Sequence, residues 1–84
     1  MTREEVLALV RSHLASELNL DPDRVEEGTR FKEDLAADSL DLVTLVVELE
    51  DTYGLRIPDE QAVRIRTVGQ SVDYILAHAP EGAH

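Results

Sequence analysis

The chain has 84 residues, 18 acidic against 8 basic side chains, a formal net charge of −10 and no cysteine. That length allows one small domain, and without disulfides or thiolate metal sites its core has to rest on aliphatic packing. Such acidity repels nucleic acid and anionic membrane and favours basic protein surfaces as partners, while no apolar run approaches the roughly 20 residues of a membrane insertion.

Helical punctuation runs through the sequence. Thr2 with Glu5 forms a capping box for a first helix whose apolar positions Val6, Leu9, Val10, Leu14 and Leu18 follow helical spacing. The start "MTREEVLALV" has no basic segment followed by a long apolar one, so no signal peptide is expected, and a cytoplasmic setting suits the absence of cysteine. "NLDPDRVEEGTRFKEDLAA" breaks the period with Pro22 and Gly28 and reads as a long ordered loop anchored by Val25, Phe31 and Leu35.

Asp38 is a good N-cap for a second helix, and Gly54 a good stop after Tyr53. Pro58, Asp59 and Glu60 suit the first turn of a short third helix. Thr67 with Gln70 opens a last helix through Val72, Ile75 and Leu76, ending by Pro80, with the tail at about 80–84 expected to fray. The expected architecture is all-α: a single domain over 1–84, a four-helix bundle of three longer helices and one short one, with a long loop between helices 1 and 2.

The second helix carries two apolar stripes. Leu42, Leu45, Val46, Leu49 and Tyr53 fall within a sector of about 100°, an ordinary core face. Leu40, Val43 and Val47 form another, centred roughly 140° away. Either a neighbouring element covers this second stripe, or its aliphatics are simply exposed, or it is a docking strip rimmed by Asp41, Glu50 and Asp51. From Glu33 to Glu60 there are nine acids and one base, Arg56. Ser39 stands at the start of this helix, where backbone N–H groups lack intrahelical partners and a tethered phosphate ester would find donors. Without a family pattern, the reading of Ser39 as merely a good helix-start residue prevails.

The combination "FKEDLAADSLDLV", "LVVELEDTYGLRIPDE" and "RTVGQSVDYI" closely resembles the acyl carrier proteins over nearly the whole chain. The resemblance implies that Ser39, in the DSL motif, receives a 4′-phosphopantetheine arm from coenzyme A through a phosphopantetheinyl transferase. The arm's thiol would then carry acyl groups as thioesters. Residues 39 to 53 match the family's recognition helix. Leu40, Val43, Val47 and, after the helix, Ile57 match its apolar docking positions. Asp38, Asp41, Glu50 and Asp51 match acids that meet basic patches on acyl transferases, ketosynthases and related enzymes. The chain would act as a non-catalytic monomer serving fatty acid synthesis, with polyketide or other specialised acyl synthesis as the alternative pathway. Outside the family, a helical protein-interaction adaptor remains if Ser39 is never modified.

Three positions depart from the family pattern: Ala36 stands where glycine is usual, Thr44 where a glutamate is common, and Arg56 where fatty-acid carriers often have an acid. A calcium-loop reading of "DPDRVEEGTRFK" fails at Val25, Glu26 and Lys32. His13, His78 and His84 are scattered and read as surface or tail residues rather than ligands. An acyl chain is expected to enter the core between the second and third helices, lined by Leu45, Val46, Leu49, Ile57, Ala62, Ile65, Val68 and Leu76, and the aliphatic side chains would have to yield to admit it.

Overall fold

Four of the five helical segments open on a capping contact that the sequence sets up locally. In the computed structural model, which describes residues 2–79, Thr2 caps α1 (Arg3–Leu18). Its hydroxyl oxygen accepts the Glu5 N–H at 3.2 Å, and the Glu5 carboxylate accepts the Thr2 N–H at 3.0 Å. Asn19, in the left-handed region at φ 54°, ends that helix. The following α-helices are α2 (Ser39–Tyr53), α3 (Asp59–Ala62) and α4 (Val68–His78). The architecture is all-α, as expected, with no strand among the described residues beyond an isolated antiparallel bridge between Arg30 and Thr67.

α1 packs against both α2 and α4. Its buried face is Val6, Val10 and Leu14, which meets Leu45, Leu49 and Tyr53 of α2 and Val68, Val72 and Ile75 of α4 in one core. Leu9 and Leu18 pack at its edge, partly buried. Thr67 and Gln70 form the expected capping box on α4, and Gly54 closes α2 at φ 64°, a conformation that favours glycine. Two local expectations are corrected. Pro58 stands just outside α3 as its N-cap, with no side-chain capping bond, so α3 is a single four-residue turn. The long loop is also less irregular than it reads: Pro22–Arg24 form a 3-10 turn, because the Asp21 carboxylate accepts the Asp23 N–H at 2.9 Å. The frayed tail and His84 lie outside the described residues.

The loop is held along its length. Val25 and Phe31 are buried, Leu35 partly so. The Arg11 guanidinium donates to the Val25 carbonyl at 2.8 Å, and Arg3 grips both Glu27 and Asp73. Those hydrogen bonds to Glu27 and then Asp73 raise the Arg3 pKa further, so the clasp stays charged. Main-chain bonds stitch the loop to the start of α4: Val68 N–H to Thr29 O at 3.0 Å, Phe31 N–H to Arg66 O at 3.0 Å and Gly69 N–H to Glu27 O at 2.7 Å. A Cβ at Gly69 would lie 2.9 Å from that Glu27 oxygen, so the approach needs glycine.

Candidate functional site

The turn into α2 is fixed by the backbone. The buried Ala37 donates its N–H to Phe31 O at 3.0 Å, and Ala36 takes a left-handed φ of 55° to make the corner. Within the loop Arg30 pairs with Asp34 at 3.0 Å; this hydrogen bond, with one from the Arg30 N–H, holds the Asp34 pKa below its usual value. At the corner's end, Asp38 and Asp41 cap each other reciprocally: Asp41 N–H to Asp38 Oδ1 at 2.9 Å, Asp38 N–H to Asp41 Oδ2 at 3.1 Å. Ser39 follows as the first residue of α2, exposed to solvent.

α2 does present two apolar faces. Leu45, Leu49 and Tyr53 are buried and Leu42 and Val46 partly so, whereas Leu40, Val43 and Val47 are 72%, 57% and 48% exposed. No neighbouring element covers the second stripe among the described residues. Burial of the Tyr53 phenol, reinforced by the negative charge of Glu5, raises its pKa. Thr44 turns its hydroxyl to the Leu40 carbonyl at 3.1 Å.

The acids divide into two groups. Asp38 and Asp51 are exposed, but Asp41 and Glu50 are partly buried and engaged. Glu50 reaches past the end of the helix to accept the Ile57 N–H at 2.7 Å. Asp41 and Glu50, expected on the acidic rim, thus each also satisfy a backbone donor. Glu48 pairs with His13 Nδ1 at 2.5 Å, joining α2 to α1. His78 stacks on Tyr74, ring centroids 4.0 Å apart, and Tyr74 donates its O–H to the Arg56 carbonyl at 3.0 Å, tethering the segment before α3. Ile57, expected both as a docking position and in the core lining, is only 5% exposed and packs inward.

Ile57 belongs to a cleft of about 640 Å³ between α2 and α3, with Ser39 and the exposed Val43 and Val47 among its lining. Leu45, Val46, Leu49, Ala62 and Ile65 also line it as expected, but Val68 and Leu76 do not; Phe31 and Ser71 contribute instead. The cleft is an open groove, and Leu45, Leu49 and Ile57 beneath it are at most 5% exposed, so the core itself is closed, as expected. The aromatic ring in the cleft wall is Phe31, from the loop. Sequence reasoning also missed Val63, 70% exposed beside α3. Its signal was present: Val63 lies out of phase with its neighbours Ala62 and Ile65, both packed on the core.

The bundle thus presents an exposed serine at a capped helix start, beside a cleft with a largely aliphatic floor. Residues 8–75 match the family described as "Phosphopantetheine attachment site". The chain is 47% identical over 78 residues to the acyl carrier protein of Rubrobacter xylanophilus, covering 93% of this chain and 96% of that one. It is 42% identical over 78 residues to the acyl carrier protein of Lactobacillus acidophilus, covering 93% and 98%. A solved structure of the acyl carrier protein from Enterococcus faecalis superimposes with a TM-score of 0.79 at 44% identity, over 92% of this chain and 98% of the other. The chain belongs to the phosphopantetheine-attachment family, among the acyl carrier proteins. With that membership come 4′-phosphopantetheine as its cofactor and an acyl carrier role in fatty acid synthesis.

Proposed function

We propose that Ser39 Oγ bears the phosphopantetheine arm as a phosphodiester, and that the whole chain works as one carrier domain. The observation that carries this is the exposed Ser39 at the capped start of α2, in the lining of the apolar cleft. The geometry suits a tethered phosphate. Of the first N–H groups of α2, Asp41's goes to the Asp38 carboxylate and Leu42's to the Asp38 carbonyl, which leaves those of Ser39 and Leu40. Asp38 and Asp41 would repel a free anion at that point, whereas a covalent link supplies the local concentration that a free phosphate lacks.

The protein itself performs no chemistry on its cargo in this reading. His13 is committed to Glu48 on the α1 side, and no histidine lies among the cleft residues. Thioester chemistry belongs to the arm and to the enzymes that receive it. Those enzymes dock on Leu40, Val43 and Val47, with Asp38, Asp51 and the outer edges of Asp41 and Glu50 steering basic surfaces toward the strip. Acyl transferases, ketosynthases and the phosphopantetheinyl transferase are the partners in this account, met by a cytoplasmic monomer. The thiol-bound acyl chain folds back from Ser39 into the cleft, against Leu45, Leu49 and Ile57. Incubation with coenzyme A and a phosphopantetheinyl transferase tests the reading: one arm is added to the wild-type chain and none to Ser39→Ala.

A further inference from the structure

A second cavity, of about 350 Å³, adjoins the cleft on its loop side, and six residues line both. Four of those six, Phe31, Leu42, Ala62 and Ile65, are apolar and packed in or against the core. Lys32 is common to both; the cleft sets Lys32 and Arg56 against Glu50 and Asp59, whereas the second cavity adds Arg66 and Glu33, so that Lys32 and Arg66 face a single carboxylate there. The two cations sit on segments that the main chain holds together: Phe31 N–H donates to Arg66 O at 3.0 Å, next to the Arg30–Thr67 bridge. Both are exposed, and neither side chain has an ion pair or hydrogen bond among the described residues. In a chain of net charge −10, two unpaired cations against one acid beside an apolar cavity favour an anion there.

We propose that this second cavity receives the far end of acyl groups that terminate in a carboxylate, with Lys32 and Arg66 as its partners. The inference rests on the carrier reading above and adds a cargo class to it. The methylene stem would lie on Phe31, Leu42 and Ile65. The carboxylate would stop at the open rim, where it keeps part of its hydration while facing two cations and one like charge. A methyl-ended chain of the same length gains nothing from that rim.

The test uses matched acyl pairs of equal carbon count, one ending in methyl and one in carboxylate, loaded onto the full chain and onto the double variant Lys32→Met, Arg66→Met. Loading is read first by intact mass, then thermal midpoints are compared within each pair at low and high salt. For stems long enough to reach the rim, the carboxylate member should melt higher by about 2–4 °C in the wild-type chain, as for a partly exposed ion pair. The difference should shrink with salt and vanish in the double variant. Because the comparison is internal to each protein, a general loss of stability in the variant does not obscure it. Loaded protein with no carboxylate preference at any length overturns this inference alone. So does a variant that lowers every loaded form equally, since the pair would then serve the arm's phosphate. Failure to load overturns the carrier reading together with it.

Discussion

Replacing Ala36 by glycine should make the protein more stable, and the size of the gain follows from one backbone angle. Ala36 holds φ at 55°, in the region where an L-residue's Cβ crowds the following carbonyl, at a cost of about 1–2 kcal/mol. Glycine removes that cost but also enlarges the unfolded ensemble, which returns about 0.5–1 kcal/mol to the unfolded side. The Ala36 methyl is exposed, so little burial is lost. The net gain is about 0.5–1 kcal/mol, a rise in thermal midpoint of about 2–8 °C for a domain of this size. Gly54 at φ 64°, with open space around a would-be Cβ, supplies the mirror experiment: Gly54→Ala should lower the midpoint by a similar amount. Far-UV circular dichroism melts of the two variants suffice. An Ala36→Gly protein that melts at or below the wild-type temperature would show that the corner before Ser39 carries no strain.

Gly69→Ala should cost about 1–2 kcal/mol in urea unfolding despite alanine's better helix propensity, because its Cβ meets the Glu27 carbonyl, which itself accepts the Gly69 N–H; a stabilised variant would refute the close approach. Asp41→Lys should lower stability by about 0.5–2 kcal/mol through loss of the reciprocal cap, whereas Asp51→Lys should leave stability within about 0.5 kcal/mol and slow only the salt-dependent association with a basic partner enzyme; equal effects on folding would contradict the division between the two acids. Tyr53 has its folded pKa raised above the ordinary value of 10.0, so its contribution is fully present below that pH and lost as pH climbs through the folded value; Tyr53→Phe should flatten this alkaline decline, and an unchanged profile would count against burial of the phenol as its cause. Methyl-ended acyl loading should raise the thermal midpoint with chain length, at about 0.8 kcal/mol per buried methylene less the cost of any cleft widening, until the cleft is full; a midpoint indifferent to length would place the chain in solvent.

What the sequence made legible is what neighbouring residues decide among themselves. Thr2 with Glu5, Asp38 before α2, Gly54 after it and Thr67 with Gln70 each act over a span of a few residues, and each is found in place. The split of α2 into a buried and an exposed apolar face was legible for the same reason, since the helical period alone separates Leu45 and Leu49 from Leu40, Val43 and Val47. Features that depend on how far apart two elements settle were not. The open groove between α2 and the one-turn α3 depends on how the two elements pack, which no local pattern encodes. Glu50 reads as a surface acid until the chain turns back and brings the Ile57 N–H to it. Leu55 and Ile57 are both buried on either side of the exposed Arg56, and nothing local shows which neighbours enclose them. Glu48 finds His13 only once α1 and α2 pack.

The central claim is that Ser39 alone bears the arm. The most direct measurement is tandem mass spectrometry of the protein after reaction with coenzyme A and a phosphopantetheinyl transferase, with the modification mapped to a residue. Ser12 and Ser16 are exposed on α1 and serve as internal controls, while Ser71 is buried, with its hydroxyl donating to the Val68 carbonyl at 2.6 Å. The account predicts one phosphopantetheine per chain, on the peptide containing Ser39, and none on Ser39→Ala. An unmodified chain, or an arm found on Ser12 or Ser16 or persisting in Ser39→Ala, would contradict it.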